Sequence, residues 1–520
     1  MASYKFKTKP YAHQRKALKR LLKQGYGGAL LMEPRTGKTK TTVDWFSVLN
    51  QTGKVDRVLI ICPNRIMGTW VREIHTHSPR LVNITVWDAE ARKQPPPPVN
   101  GTFQLHVVIT NFEAFATPGK KTKSGRRSKS SGRFKVRSHI QKWIGDGSNA
   151  AIVVDESHKI KSPSGKAANM IVNMGKDFAY RVILTGTPIT KAKRVHDVYM
   201  QWKFLNPTRF EDLPTVGEFK AHYGKWIDVP ASKDPNARMF PKFVGPKNLD
   251  DLRARMAQDA IIVKREDCFD LPPREDIVEY VDLKGSKSAY EQMARDMVAI
   301  LEDGDVSEAS IRLVQQLRLT QITSGFVTTD LGEVKRVGFE KSDKLQEILE
   351  DQFEKEQKVV VAARWKPDLD LIEEMGRELG FKVWSIRGGV KRADSDAAIL
   401  KFRDCDEPAL MVIQPAAASM GIDLSTASTM VWYSHTNSWV DFTQACDRIA
   451  LSRTSTTFIH ILAKQSVDEI LMDVLATDGD VAKAVMKRPR ELLTGHTLNL
   501  DSSGRIEVSS TDKSHKRQII

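Results

Sequence analysis

The sequence lacks the features that mark a disulfide-bonded, zinc-binding or membrane-spanning protein. Its four cysteines are scattered, with no CxxC pair, which argues against both a disulfide framework and a structural zinc site. No apolar run approaches the ~20 residues that a membrane helix needs, and the first residues contain no apolar stretch typical of a signal peptide. We therefore expect a soluble protein of a reducing cytoplasm, with no membrane partner.

Acidic residues are scarce relative to basic ones. Asp and Glu total 64 against 80 Lys and Arg, which gives a formal net charge of +16. An excess of this size favours a polyanionic partner, because each Lys or Arg on a phosphate releases condensed counterions. The alternative is a generally basic protein with no nucleic-acid partner.

Short apolar runs recur in two sets, and each run ends in polar or glycine-containing residues. Runs of this length without alternation are typical of strands buried on both faces of a sheet. Because helical patterns separate them, the sequence predicts an α/β fold with two parallel-sheet lobes. The first set covers residues 27–32, 57–63, 105–110, 151–156 and 181–187, and the second covers 358–363, 381–386, 409–414, 429–433 and 458–462.

The region between the two sets has a mostly helical pattern, so we predict a helical insertion between the lobes. The predicted domains are an N-terminal lobe (1–205), the insertion (206–340), a C-terminal lobe (341–485) and a polar tail (486–520). Within the first lobe, residues 117–138 contain nine Lys or Arg and no acid, interspersed with Gly and Ser. This segment is interpreted as a flexible DNA-contacting loop, with an ordinary solvated loop as the alternative.

A candidate phosphate-binding loop lies in MEPRTGKTKTT (32–42), after the first predicted strand. Thr36, Gly37, Lys38 and Thr39 stand where a strand passes into a helix, and the N–H groups of a helix N-terminus bind phosphate. In this interpretation Lys38 reaches the β- and γ-phosphates and the Thr39 hydroxyl ligates Mg²⁺. The full GxxxxGK[ST] pattern is not met, because residue 32 is Met, and a lone GKT also occurs by chance.

Two carboxylates follow the fourth predicted strand in VVDESH (153–158). Asp155 is a candidate Mg²⁺ ligand, and Glu156 is a candidate to orient or deprotonate an attacking water. Adjacent acids after an apolar strand fit the carboxyl edge of a parallel sheet, where ligands of α/β proteins bind. An ordinary acidic turn is the alternative for this motif alone.

Three further motifs follow in the order that a two-lobed motor requires. Thr185 and Thr187 lie in ILTGTP (183–188) at the end of the next strand. Asp423 is a candidate partner of a ribose hydroxyl, and Arg448 is a candidate to contact the γ-phosphate. A plain turn is the alternative for the TGT segment, and a surface ion pair is the alternative for Arg448.

Taken together, these segments resemble superfamily-two helicases and, within them, the Swi/Snf family of DNA translocases. The resemblance extends from about residue 9 to about residue 475. The segments that carry it are YAHQRKAL (11–18), ICPNRIMGTWVREI (61–74), VVITNFEAF (107–115), VVDESHKIK (153–161), LTGTP (184–188), IIVKREDCFDLPPRE (261–275) and MGIDLSTASTMVWYSHTNSWVDFTQACDR (420–448).

The resemblance implies two RecA-like lobes that clamp ATP and Mg²⁺ and translocate on duplex DNA, usually without separating its strands. It also implies that Gln14 reads adenine, and that Thr110 and the backbone near Asn64, Thr185 and Ser419 contact the tracked strand. The residues implied for the ATP site are Gln14, Thr36, Gly37, Lys38, Thr39, Asp155, Glu156, Gly421, Asp423, Gln444 and Arg448, with Thr39 and Asp155 as the metal ligands.

The sequence departs from the family pattern at two places. The family has a second arginine three residues after the position of Arg448, where this chain has Leu451, so Arg453 is the substitute candidate finger. Because two residues turn a helix by about 200°, Arg453 fits only if the helix ends or bulges first. The phosphate loop reads EPRTGKT where the family usually has DEMGLGKT, so Pro34 and Arg35 are unusual.

We therefore predict a DNA-dependent ATPase that translocates on double-stranded or branched DNA and remodels DNA structures or protein–DNA complexes. The alternatives are a strand-separating DNA or RNA helicase and a DNA-binding scaffold without turnover. The compact build resembles phage or bacterial members, which implies the cytoplasm of a bacterium or an infected host. A protein partner, which the sequence does not identify, is a further alternative.

Overall fold

The computed structural model describes residues 4–99, 101–116, 132–189, 194–230, 239–263, 268, 274–303, 308–329, 332–418, 422–449, 455–476, 498–500 and 506–508. The chain divides into two units, Met1–Asp270 and Leu271–Ile520. No helix among the described residues is long and apolar enough to cross a membrane.

The first unit is built on a seven-stranded sheet. Its strands are β1 (Gly27–Met32), β2 (Arg57–Cys62), β3 (Val82–Val86), β4 (Leu105–Asn111), β5 (Ala150–Asp155), β6 (Tyr180–Thr185) and β9 (Ala260–Val263), and a separate antiparallel hairpin pairs β7 (Gly224–Pro230) with β8 (Met239–Pro246). The sheet order is β3-β4-β2-β5-β6-β1-β9, with every pair parallel. The carboxyl ends of all seven strands therefore share one edge.

Helices cover both faces of this sheet. The helices are α1 (Ala12–Gln24), α2 (Lys38–Gln51), α3 (Met67–His77), α4 (Glu113–Ala116), α5 (Gly132–Ile144), α6 (Lys166–Gly175), α7 (Asp197–Leu205), α8 (Val216–Tyr223) and α9 (Leu249–Asp259). Helices α1 to α3 pack on one face with Val58 and Ile60, and α4 to α9 pack on the other with Leu59 and Ile61. Since successive strand side chains point to opposite faces, an unbroken apolar run fills both cores.

The second unit repeats this plan with a six-stranded parallel sheet. Its strands are β10 (Arg274–Val281), β13 (Lys358–Ala362), β14 (Lys382–Ile386), β15 (Ala409–Ile413), β16 (Thr429–Trp432) and β17 (Thr456–Ala463), in the order β10-β17-β16-β13-β15-β14. Two short antiparallel pairs are β11 (Phe326–Thr328) with β12 (Val334–Arg336) and β18 (Leu498–Leu500) with β19 (Ile506–Val508). The helices are α10 (Lys287–Asp303), α11 (Glu308–Thr323), α12 (Glu340–Glu354), α13 (Lys366–Glu378), α14 (Arg392–Asp404), α15 (Pro415–Ala418), α16 (Trp439–Cys446) and α17 (Val467–Ala476).

The predicted fold class of two parallel-sheet lobes is confirmed, and all ten predicted apolar runs are strands. The middle segment 206–340 differs from the helical pattern expected of it. It supplies β9 to the first sheet and β10 to the second, besides the β7–β8 hairpin. Both β9 and β10 are edge strands with exposed apolar residues, Ile262 and Tyr280, so their sequences do not show the continuous burial that identified the other strands.

The basic segment 117–138 is only partly a loop. Residues 117–131 lie outside the described residues, whereas α5 begins at Gly132. The prediction of a loop was wrong for the last seven residues, because Val136, Ile140 and Trp143 recur at helical spacing and are buried in the core. In the polar tail, the structure describes only the β18–β19 pair.

A buried carboxyl group lies in the first turn of α13. Ser434 donates its hydroxyl to Asp368 Oδ2 at 2.6 Å, and the second oxygen, Oδ1, is buried without a hydrogen-bond partner. Burial is the main cause that raises the pKa of Asp368 to about 7, against the smaller opposing effects of Ser434 and the Lys341 ammonium. The folded chain therefore holds a proton on Asp368 over a pH range in which the unfolded chain has released it.

We expect Asp368→Asn to stabilise the protein at about pH 8 by about 2 kcal/mol and to change little at about pH 4. Because the pKa of Asp368 is higher in the folded chain than in the unfolded chain, the stability of the wild type falls as the pH rises from about 4 to about 7. The Asn side chain does not ionise, so the variant does not lose this stability. Denaturant unfolding of Asp368→Asn and of the exposed control Asp370→Asn across this range measures the effect. An unaltered pH dependence in Asp368→Asn would show that the carboxyl is ionised when folded.

Candidate functional site

Three neighbouring strands of the first sheet bring the predicted motifs to one edge. The order β5-β6-β1 places the acidic pair, the TGT segment and the phosphate loop side by side. In register, Leu31 pairs with Thr185 and Asp155 pairs with Leu184. Since adjacent strands lie about 4.8 Å apart, the residues that follow them form a single site.

The loop between β1 and α2 is a tight turn that leads directly into the helix. Thr36 donates both its N–H (3.3 Å) and its hydroxyl (2.7 Å) to the Glu33 carbonyl. Gly37 caps α2 with a φ of 86°, and Thr39 is half-buried in the first turn. The first N–H groups of a helix have no intrahelical partner, so this turn presents donors to an anion.

The Lys38 ammonium lies inside this loop. Its Nζ donates to the carbonyl of Met32 at 2.6 Å, and it is close enough to Asp155 to lower the pKa of that carboxyl group. The structure thus places a cation between the phosphate loop and the acidic pair.

Arg35 adopts a left-handed backbone conformation, with a φ of 66°. It stands at the position where the family loop DEMGLGKT has its first glycine. A non-glycine residue in this region costs roughly 1 kcal/mol or more, so the surrounding structure holds the turn against that preference. The loop therefore adopts a turn with positive φ at Arg35 although this residue is not glycine.

Helix α1 supports the phosphate loop through two side chains. His13 Nε2 lies 2.8 Å from the Thr36 carbonyl oxygen, and Gln14 donates Nε2 to the same oxygen at 3.3 Å. Gln14 Oε1 accepts from the Tyr11 N–H at 2.9 Å, and the side chain is buried. Gln14, which the resemblance assigns to adenine, is thus positioned as a brace of the loop.

Asp155 is held rigidly at the end of β5. Its Oδ2 accepts from the indole N–H of Trp70 at 3.0 Å, and its Oδ1 accepts from the Glu156 N–H at 2.9 Å. Burial, and then the neighbouring Glu156 carboxylate, raise the pKa of Asp155 to about 6, while the Lys38 ammonium opposes this rise. Additional positive charge at this carboxylate would therefore be stabilising.

Glu156 turns away from the strand in a left-handed conformation, with a φ of 53°. Its Oε2 lies 3.2 Å from His158 Nδ1, and the same nitrogen lies 3.4 Å from the Thr185 hydroxyl. The Thr185 hydroxyl in turn accepts from the Thr187 N–H at 3.0 Å. His158 therefore links the acidic pair to the segment after β6, a role that the sequence did not reveal.

Trp70 is a positioning residue that sequence reasoning also missed, although Trp70 lies within a recognised motif. We expect Trp70→Phe to lower ATP turnover by about ten-fold and to raise the Mg²⁺ concentration that half-saturates it, because Asp155 loses its fixed orientation. Steady-state ATPase assays over a Mg²⁺ series measure both effects.

Trp202→Phe is the matched control. Trp202 is buried in the same unit and donates its indole N–H to Asp259 Oδ2 at 3.1 Å, away from the site. Both variants should lose similar stability, since each removes one buried hydrogen bond. Equal loss of turnover in the two variants would assign the Trp70 effect to folding.

The second unit brings three of its predicted residues together. Arg448 is buried and donates Nε to the Gln444 carbonyl at 2.8 Å and Nη1 to the Ile422 carbonyl at 3.3 Å. Asp423, next to Ile422, accepts from the Ser425 N–H at 3.1 Å. Arg448 is therefore not a surface ion pair. Gly421, Ser419 and Arg453 lie outside the described residues.

Thr110 does not offer its hydroxyl to a ligand in this structure. The side chain is buried, and its hydroxyl donates to the Trp87 carbonyl at 2.9 Å and accepts from Arg92 at 3.1 Å. Arg92 also donates to Asn111 Oδ1 at 3.0 Å, and Asn111 donates to Asn64 at 3.3 Å. These residues form one polar group at the carboxyl ends of β2 and β4.

Two family models match the chain in succession. The SNF2-related domain matches residues 13–324, and the helicase conserved C-terminal domain matches residues 340–451. The first match alone covers more than half of the chain and includes the phosphate loop, the acidic pair and the TGT segment.

Curated relatives match along most of this chain. "Protein CHROMATIN REMODELING 4" of Arabidopsis thaliana is 23% identical over 95% of this chain and 21% of its own length. "ATP-dependent DNA helicase DDM1" of the same organism is 24% identical over 88% of this chain and 59% of its own length. This chain thus spans less than two thirds of each relative. Among solved structures, the "Sulfolobus solfataricus SWI2/SNF2 ATPase core in complex with dsDNA" is 20% identical, with a TM-score of 0.40 over 95% of this chain and 99% of that one.

Proposed function

The chain belongs to the SNF2-related family, and we propose that it is a DNA-dependent ATP hydrolase that translocates on double-stranded DNA and remodels DNA structures or protein–DNA complexes. The observation that carries the proposal is the convergence of Lys38, Asp155 and Glu156 at one sheet edge, within the segment that the family model matches. A binding scaffold without turnover has no need of this arrangement.

The residues at this edge fit ATP. Gly37 leaves room that any side chain would fill, because a Cβ there would lie 2.0 Å from Gln14 Nε2. Backbone N–H groups at the start of α2 and the Lys38 ammonium would bind the phosphates. Gln14 and His13 would keep the loop in shape during binding, since both hold the Thr36 carbonyl.

The same edge fits a divalent cation. Asp155 is a buried carboxylate beside a second carboxylate, and its pKa is raised although the Lys38 ammonium and the hydrogen bonds from Trp70 and the Glu156 N–H oppose the rise. Thr39 adds a hydroxyl at the start of α2. We assign Asp155 and Thr39 as ligands of Mg²⁺, which supplies positive charge to the phosphoryl oxygens when bound. Hard oxygen donors of this kind suit Mg²⁺.

Glu156 is assigned as the residue that orients and deprotonates the attacking water, with His158 fixing its carboxylate. From the second unit, Gln444 and Arg448 are assigned to the γ-phosphate and Gly421 and Asp423 to the nucleoside, and Arg453 is assigned as the second arginine finger.

Duplex DNA is the proposed track. Support comes from the net charge of +16, from the basic segment 117–138, and from relatives whose names describe a DNA helicase and a chromatin remodelling protein. A polycation of this kind gains affinity for nucleic acid through counterion release, and this gain carries no sequence preference.

Strand separation is the second candidate function, because the first unit contains a hairpin suited to a wedge. The β7–β8 stem stands outside the main sheet and exposes Ile227, Met239 and Val244, and apolar side chains of this kind insert between base steps. The sequence alone gave no sign of it.

A triplex-displacement assay distinguishes translocation on duplex DNA from strand separation. We expect ATP-dependent release of the third strand from an intact duplex, with no separation of the duplex strands. Unwinding of a tailed duplex without triplex release would instead establish the helicase. A blunt duplex that lacks the triplex site provides the control for spontaneous melting.

A further inference from the structure

The beginning of the chain concentrates positive charge. Residues 1–32 contain eight Lys or Arg and no Asp or Glu, and the first acidic residue is Glu33. This segment thus carries half of the chain's net charge of +16 in about one sixteenth of its length. The site described above uses none of these eight basic residues.

The basic residues lie on the solvent face of α1 and on the segment before it. Gln14, Ala17, Leu18 and Leu21 form the buried face of the helix. Lys7 and Arg20 donate to the carbonyls of His75 and Ala257. The remaining six residues, which we call the α1 basic surface, are Lys5, Lys9, Arg15, Lys16, Lys19 and Lys23, and all six are exposed.

Among the residues that the structure describes, the α1 basic surface has no acidic partner. No carboxylate among the described residues forms an ion pair with any of its six members, in contrast to α9 and α12, where Arg253, Arg255, Lys344 and Lys355 pair with acids on their own helix. An ordinary solvated helix face carries both signs of charge, often at spacings of three or four residues. A face of one sign predicts a ligand of the other sign.

The spacing of these residues suits an extended polyanion. Arg15, Lys19 and Lys23 follow one another at intervals of four residues, about 6 Å along the helix axis. At the N-terminal end, Lys5, Lys9 and Arg15 line an open groove of about 540 Å³ together with Tyr4, Phe6 and Pro10. The surface is therefore a continuous track rather than a point site for one phosphate.

The α1 part of this track lies away from the predicted motor contacts, whereas Lys5 and Lys9 flank Lys7 and Thr8, which contact the C-terminal end of α3. Helix α1 reaches the β1–β9 end of the sheet, where Arg20 and Gln24 donate to carbonyls of α9. Asn64, which follows β2, and Thr110, near the end of β4, are placed at the tracked strand by the family resemblance and lie on the other half of the sheet. Three to four strand spacings, roughly 14–19 Å, separate the two halves.

We propose that the α1 basic surface binds the phosphate backbone of a second DNA segment, so that the chain holds two duplex arms at once and acts on branched or juxtaposed DNA. That this DNA is a second segment, distinct from the duplex on which the motor translocates, rests on the proposed function. The binding of DNA phosphates to this surface does not depend on it. The inference specifies the substrate class of the motor.

A capture assay tests this proposal. The full chain is bound to an immobilised short duplex, and a second, labelled duplex is added at low salt. The test variant is Lys16→Gln/Lys19→Gln/Lys23→Gln, because Gln matches Lys in helix propensity and these lysines do not line the groove. The control is Lys344→Gln/Lys355→Gln/Lys382→Gln, which removes the same charge from lysines already paired with carboxylates.

We expect the test variant to capture at least about ten-fold less of the second duplex, and the slope of log affinity against log salt to fall by about 2 to 3. The wild type and the control variant should capture it equally. Stimulation of ATP turnover by a single short duplex should stay within two-fold of wild type. This combination would establish the α1 basic surface as a second DNA site.

Two results would overturn the proposal. Undiminished capture by the test variant would show that the surface does not bind DNA. Diminished capture accompanied by an equal loss of stimulation by a single short duplex would assign the surface to the tracked duplex. A wild type that captures the second duplex but is not stimulated by DNA would refute the proposed function alone, since the capture does not depend on turnover.

Discussion

Lys38→Ala and Glu156→Gln are each expected to reduce DNA-stimulated ATP turnover by about a thousand-fold or more, while DNA affinity changes less than about three-fold. Lys38 supplies the positive charge between the phosphate loop and the acidic pair. Glu156 is the proposed base, and its carboxylate lies 3.2 Å from His158. Since neither side chain belongs to a basic surface suited to DNA, the loss should fall on turnover alone.

Steady-state ATPase assays and duplex titrations of the same preparations measure both quantities. Lys54→Ala and Glu90→Gln serve as controls, because both residues are exposed in the same unit and lie away from the site. Near-normal turnover in either site variant would mean that the catalytic groups are misassigned. A parallel loss of DNA affinity would indicate damage to the fold.

Gly37→Ala is expected to lower kcat/KM for ATP by about a hundred-fold, an effect of roughly 3 kcal/mol. A Cβ at this position would lie 2.0 Å from Gln14 Nε2, and the φ of 86° disfavours any residue with a side chain. Gln14 is buried and bonded at both ends, to Tyr11 and Thr36. Its displacement would therefore remove the brace from the phosphate loop.

Gly25→Ala separates the effect of backbone strain from that of the clash with Gln14. Gly25 has a φ of 84°, but nothing lies within 4 Å of the added Cβ. It should cost about 1 kcal/mol of stability and leave turnover unchanged. In addition, Gly37→Ala should cost much less turnover in a Gln14→Ala background, since the clash is then absent. Equal cost in both backgrounds would assign the effect to backbone strain.

The sequence predicted the parts of the fold that depend on local burial. A run such as VVVA (359–362) is apolar on both faces, so it identifies a central strand without knowledge of its neighbours. Edge strands β9 and β10 were not predicted, because Ile262 and Tyr280 are exposed and each strand forms only by pairing with a distant one. Helix α5 was assigned in part to a loop because its first two turns contain Gly132, Arg133, Lys135, Arg137 and Ser138.

The site was predictable where chemistry fixes the residue type. Lys38, Asp155 and Glu156 were proposed from the sequence because phosphate, metal and water each require a particular group after a strand, and the structure brings these three residues to one sheet edge. The supporting side chains Trp70, His158 and His13 were not assigned roles, because their partners lie far along the chain or across the sheet. Their roles follow from the three-dimensional packing, which leaves no local signal.

The central claim, that this chain is a motor driven by duplex DNA, is tested most directly by its ATPase rate with no nucleic acid, single-stranded DNA, linear duplex, forked DNA and RNA. We expect the strongest stimulation from the linear duplex and the fork. Strongest stimulation by single-stranded DNA or RNA, or no turnover with any of them, would contradict the account.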